Sequence, residues 1–151
     1  RRQAGRTGRG LGRGAQDILL FNGSSSYIAE LDAVFRRAHD ALRPGGHLVV
    51  VDVPRESGYG TLYCLAKELG TWGHPVFRGV KPEAAYPMPF VEAANWYTTA
   101  ERVAAMEHAG FTLVRTAQTL TRHPVFAPHG VEEPREGHDA GDYVAIVARR
   151  G

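Results

Sequence analysis

Two apolar runs joined by an amphipathic stretch constrain this chain more than any other feature. Asp17 to Phe21 reads Asp-Ile-Leu-Leu-Phe, a short continuous apolar run of the kind expected for a strand buried on both faces. Asn22, Gly23 and three serines break it. From Glu30 the apolar residues Leu31, Val34, Phe35, Ala38 and Leu42 recur at helical spacing, with Asp32, Arg36, Arg37 and Asp40 on the other side. That spacing predicts a helix with one buried stripe. Pro44 disfavours helical geometry at Arg43, and Gly45 with Gly46 supplies a flexible turn, so the helix is expected to end there. His47 to Val53 is a β-branched run too short for a helix. Strand, helix, strand within about 37 residues is a βαβ unit, whose strands must be parallel and whose crossover is right-handed.

Downstream the pattern loosens. Leu62, Leu65 and Leu69 predict a short helix over Thr61 to Leu69, stopped by Gly70. Pro75, Pro82, Pro87 and Pro89 mark Thr71 to Asn95 as a loop-rich insertion, longer than a simple connection and of the kind used for lids or binding loops. Thr98 followed by Glu101 is a capping box that opens a helix ending at Gly110. Phe111 to Leu120 and Asp142 to Ala148 read as strands that can pair as a hairpin across a Pro/Gly/Glu-rich connection.

Charge separates the chain into two parts. The first 14 residues hold five of the 18 basic residues and no acid, which leaves 13 Lys and Arg against 16 Asp and Glu, a net of −3 for the rest. Residues 1–16 are therefore expected to be a disordered Gly/Arg-rich tail, and 17–151 the folded domain. Nucleic acid is an unlikely partner for that acidic body, and RNA or an acidic protein would have to be gripped by the tail. No apolar run approaches the roughly 20 residues of a membrane span, so a cytoplasmic location without membrane contact is the default expectation. Cys64, the one cysteine, can form no internal disulfide, and the seven histidines show no metal-ligand spacing. No metal is expected.

The run Ala41-Leu42-Arg43-Pro44-Gly45-Gly46-His47-Leu48-Val49-Val50-Val51-Asp52, preceded by the apolar strand and amphipathic helix, resembles the second half of a class I S-adenosylmethionine-dependent methyltransferase. Thr98-Thr99-Ala100-Glu101, the Ala109-Gly110-Phe111 transition and the Tyr143-Val144-Ala145-Ile146-Val147 strand follow in that family's order. The resemblance spans about Asp17 to Arg149. It implies an α/β fold with a partial Rossmann-like sheet, a parallel βαβ unit followed by a helix and an antiparallel C-terminal hairpin. These strands would be the family's fourth to seventh, the seventh lying antiparallel between the fifth and sixth. It also implies S-adenosylmethionine as methyl donor and a small-molecule acceptor. The Gly-rich loop that holds the donor in that family needs a strand before it and a helix after it. Gly8, Gly10, Gly12 and Gly14 lack both, so the donor-binding half is expected to be missing and the chain to be a truncated form, with its activity left open. The edge left at Asp17 to Phe21 would then invite self-association.

In open α/β sheets ligands bind at the carboxyl ends of strands, and the resemblance puts Asn22, Gly23 and Ser24 beside the donor. The same residues also suit a plain turn. Tyr27 either shapes the pocket or packs at the helix start. Asp52 either faces substrate or caps the next turn. Tyr59, Trp72 and Trp96 border the insertion, a lid at about 55–97, where they either cover an apolar substrate or belong to the core. His74 is the candidate general base, its ordinary pKa lying near neutrality. It is also what an exposed loop residue before a proline looks like.

Overall fold

A computed structural model describes residues 12–126 and 130–151. Most of the Gly/Arg tail and its RNA-binding reading therefore fall outside the described residues. Nine regular elements follow in order: β1 (Gln16–Asn22), α1 (Leu31–Ala41), β2 (Leu42–Asp52), α2 (Gly58–Leu69), α3 (Met88–Ala93), α4 (Thr99–His108), β3 (Phe111–Thr119), β4 (Arg135–Glu136) and β5 (Tyr143–Arg150). They build one mixed sheet in the order β1-β2-β5-β3-β4. β1 and β2 are parallel, Leu20 lying beside Val49, while β5 runs antiparallel to both of its neighbours, β2 and β3. The last strand in sequence is thus the central one in space, as the family resemblance implies.

α1 and α4 cover one face of the sheet. Leu31, Phe35 and Ala38 from α1 and Ala105 and Met106 from α4 pack on Leu48 and Val50 of β2 and Val144, Ile146 and Ala148 of β5. Phe35, Leu48 and Val50 are fully buried. The period-2 alternation of β2 and β5 follows from this one-sided cover, because odd and even residues of a strand face opposite ways. A second cluster joins Tyr63 and Ala66 of α2, Val91 of α3, and Phe77, Ala94 and Trp96 near the carboxyl end of the sheet.

Two expectations are corrected. β1 is not buried on both faces: Leu19 and Phe21 pack into the core, but Ile18 and Leu20 point the other way and are 62% and 61% exposed. α1 stops at Ala41, before Pro44, because Leu42 already takes extended geometry and joins β2 beside Gln16. The loop-rich insertion also carries short regular structure. It contains a 3-10 turn at Pro75–Phe77 and the short helix α3. Among the described residues no helix is long and apolar enough to cross a membrane.

Replacing Phe35 by Ala empties the centre of the α1–sheet contact. We expect a loss of about 3–5 kcal/mol of unfolding free energy, read from urea denaturation with an unchanged slope.

Candidate functional site

The carboxyl ends of β1 and β2 and the start of β5 meet at one end of the sheet, where Asn22 lies beside Val51 and Asp52 beside Val144. The chain leaves β1 through Gly23, whose φ of +60° is a left-handed conformation open to glycine at little cost. Ser25, Ser26 and Tyr27 then form a single 3-10 turn.

A buried ion pair fixes that turn. Asp52 Oδ2 accepts hydrogen bonds from Ser25 Oγ at 2.6 Å and Ser26 N at 3.0 Å, and Oδ1 accepts from Val53 N at 2.9 Å. Arg102, on the buried stripe of α4, donates Nε to Ser25 Oγ and Nη2 to Ser26 Oγ, each at 2.9 Å, and Nη1 to the Tyr97 carbonyl. Its guanidinium is 3.7 Å from Asp52. Burial lowers the Arg102 pKa while the Asp52 charge opposes the shift, and an arginine stays protonated through such a change. Asp52 therefore caps the turn after β1 and neutralises Arg102; its carboxylate is spent within the fold.

Beside this network lies a cavity of about 250 Å³ lined by Val53, Tyr59, Tyr63, Ala84, Tyr86, Leu120, Asp142 and Tyr143. Tyr143 connects it to β1 by donating to Asn22 Oδ1 at 2.6 Å. Tyr63 is held between Tyr86 and Trp96, with ring centroids 5.0 Å and 4.8 Å away and nearly parallel planes. Asp142 is 3% exposed and its Oδ1 accepts the Tyr59 N–H at 2.7 Å. Burial raises the Asp142 carboxyl above its ordinary range, and the hydrogen bonds at the start of α2 only partly counter this. Burial likewise pushes the Tyr59, Tyr86 and Tyr143 phenols up, so they are neutral near pH 7.

The residues singled out from sequence divide accordingly. Asn22, Gly23 and Tyr59 come together at this end of the sheet, while Ser24 begins the 3-10 turn. Tyr27 is 40% exposed and meets Phe90 edge-on. Trp96 is a core residue at 3% exposure, its Nε1 donating to the Val91 carbonyl. Trp72 packs on Tyr63 and Phe77 and donates Nε1 to the Tyr86 carbonyl, so it buttresses the aromatic cluster. His74 is exposed, and its Nδ1 accepts the Val76 N–H at the 3-10 turn; this capping contact gives it no acid–base partner. Sequence reasoning missed Arg102, Tyr63, Tyr86 and Asp142. A signal existed for two of them: Arg102 falls in step with buried Thr99, Ala105 and Met106, and Tyr63 lies one helical turn from Tyr59.

Two outcomes follow from these contacts. Arg102→Met leaves the Asp52 charge buried without its partner and should cost about 3–5 kcal/mol, whereas adding Asp52→Ser should recover more than half of that loss in a double-mutant cycle. For Asp142 the folded pKa lies above its ordinary value of 3.8, so its contribution to stability is full below that value and is lost as pH rises through the raised pKa. Relative to Asp142→Asn, the wild type should therefore become progressively less stable across that rise, as measured by urea midpoints over a pH series.

No protein-family description matches the chain. An uncharacterised protein of Mycobacterium tuberculosis is 28% identical over 123 residues, 81% of this chain and 37% of that protein. Among solved structures, a S-adenosylmethionine-dependent methyltransferase, possible histamine N-methyltransferase, from Thermotoga maritima superposes with a TM-score of 0.75 at 26% identity over 93% of this chain and 58% of its own. Geranyl diphosphate C-methyltransferase from Streptomyces coelicolor, in complex with Mg2+, geranyl diphosphate and S-adenosyl-L-homocysteine, gives 0.55 at 16% identity, over 93% of this chain and 49% of that one. The chain spans just over a third of the curated relative and somewhat over half of the Thermotoga structure. With its βαβ unit, its antiparallel central strand and these likenesses, the chain has the fold of the class I S-adenosylmethionine-dependent methyltransferases.

Proposed function

We propose that this chain forms the acceptor-side portion of a methyltransferase that acts on a small molecule. The observation that carries the reading is the Thermotoga superposition over 93% of the chain. The carboxyl end of β1 fits one flank of the methyl donor: Gly23 is exposed, and a Cβ added there would meet only Tyr143 Oη, at 3.8 Å. Among the described residues no strand precedes β1, so the opposite flank is not built by them. When bound, S-adenosylmethionine supplies an electrophilic methyl carbon whose bond to sulfur breaks as the acceptor's lone pair forms the new bond, the bonding pair staying on sulfur. The residues of this chain contribute position and dryness. The Asp52–Arg102 network holds the turn beside Asn22, and α2, α3 and their aromatic cluster exclude water from the acceptor side. In-line displacement of this kind is accelerated by orientation alone, so the capping role of His74 is no obstacle.

The small size of the cavity and the acidic body support a small acceptor over nucleic acid. S-Adenosylhomocysteine titrated into the chain should shift the backbone amide resonances of Asn22, Gly23 and Ser24. Gly23→Val, which puts a β-branched residue at φ +60°, should weaken binding by roughly tenfold, about 1.4 kcal/mol. Unchanged amides at saturating ligand would overturn the reading.

We further propose that β1 pairs with a second copy of the chain. Among the described residues β1 is the terminal strand, with no neighbour on its outer edge; its open face carries exposed Ile18 and Leu20, and a groove of about 550 Å³ on the α1 side is lined by Leu19, Phe21, Val34 and Ala38 together with Arg37 and Asp40. Unpaired edges with apolar side chains template further pairing. Sedimentation velocity should show concentration-dependent dimers that disappear in Ile18→Lys/Leu20→Lys.

A further inference from the structure

The lining of the 250 Å³ cavity is chemically one-sided. Its charged member is a carboxylate, Asp142, and no Lys or Arg lines it. Asp142 makes no ion pair among the described residues, although it is 3% exposed. Its oxygens accept hydrogen bonds from the start of α2, where Tyr59 N lies at 2.7 Å, but no Lys or Arg faces it, so a cation entering the cavity would be stabilised there.

The aromatic residues point the same way. Four of the lining residues are tyrosines, and the face of an aromatic ring is its electron-rich side. Tyr63 has both faces occupied, by Tyr86 and Trp96. Tyr86 stacks on Tyr63, lines the cavity and is itself 40% exposed, so part of its ring is accessible to a ligand. The negative charge of Asp142 reaches one of these phenols, raising Tyr59 after burial.

We propose that the cavity bounded by Tyr59, Tyr63, Tyr86, Tyr143 and Asp142 binds a small organic ammonium ion. Cation–π attraction to the tyrosine faces and the Asp142 charge both favour such an ion over a neutral molecule of the same shape. The volume limits the ligand to a compact one, since drug-sized ligands occupy clefts of about 300–1,000 Å³. As a statement about the methyl acceptor, this rests on the methyl-transfer reading. The ammonium then gives its proton to the Asp142 carboxylate, the freed nitrogen lone pair bonds to the methyl carbon, and the carbon–sulfur pair goes to sulfur.

Choline tests the binding without the reaction, because its nitrogen cannot be methylated further. Its comparison is dimethylbutanol, the uncharged isostere with carbon in place of nitrogen. Titrated into the chain and followed by tyrosine and tryptophan fluorescence, choline should bind at least tenfold more tightly. Tyr86→Leu and Asp142→Asn should each cut that advantage to threefold or less. Tyr86 is exposed enough for its variant to fold, and a thermal melt checks both. Equal affinity for the two probes, no binding of either, or an advantage that survives in the folded Tyr86→Leu protein would overturn the proposal. Choline binding without any response to S-adenosylhomocysteine would sink the methyl-transfer reading and leave the cation site standing.

Discussion

The structure depends on a charge pair that links three separate parts of the chain. Asp52 ends β2, Ser25 and Ser26 follow β1, and Arg102 belongs to α4, yet all four side chains are buried together. Neither charge can be removed alone without leaving the other in a medium of low polarity. The pair therefore fixes the orientation of α4 and the path of the chain leaving β1 at the same time. Tyr97 adds to this junction, its ring lying 5.9 Å from the guanidinium and its hydroxyl donating to the Ile28 and Ala29 carbonyls.

On this foundation the molecule separates support from chemistry. The cluster under α1 and α4 is made mostly of Leu, Val, Ile and Ala, with Met106, Phe35 and Phe111, and it holds the sheet. The second cluster is built on Tyr63, Phe77 and Trp96 and sits where the strands end. Aromatic rings provide large contact area with few rotatable bonds. A wall of rings can thus be rigid while its phenol and indole groups still meet polar partners, as Trp72 does at the Tyr86 carbonyl. That combination suits a surface that must recognise a ligand.

How much of this was legible in the sequence depends on the range of the interaction. The βαβ unit was readable because its signals are local: two β-branched runs and a helical stripe. The same local signals could not say whether a second layer covers β1, and Ile18 and Leu20 are exposed for that reason. α3 was hidden because Pro87 and Pro89 looked like breakers, whereas proline fits the first turn of a helix. Asn22, Gly23 and Tyr59 were found through turn chemistry and position in the resemblance. Arg102 was not, because an arginine in a helix is ordinarily solvated and its carboxylate partner is 50 residues distant in sequence. Asp142 escaped for a similar reason, its contact with Tyr59 spanning 83 residues.

The place of β5 bears on how the chain acquires its fold. β2 and β3 have no hydrogen-bonded contact until β5 is inserted between them, so the ribosome must release nearly all of these residues before the sheet can close. Contacts of such long sequence separation form late, because the loop entropy is lost before the pairing energy is gained. During synthesis β1, α1 and β2 are present before β5, with the β2 edge still waiting for it. In that interval the β2 edge presents unpaired backbone groups that another strand can pair with.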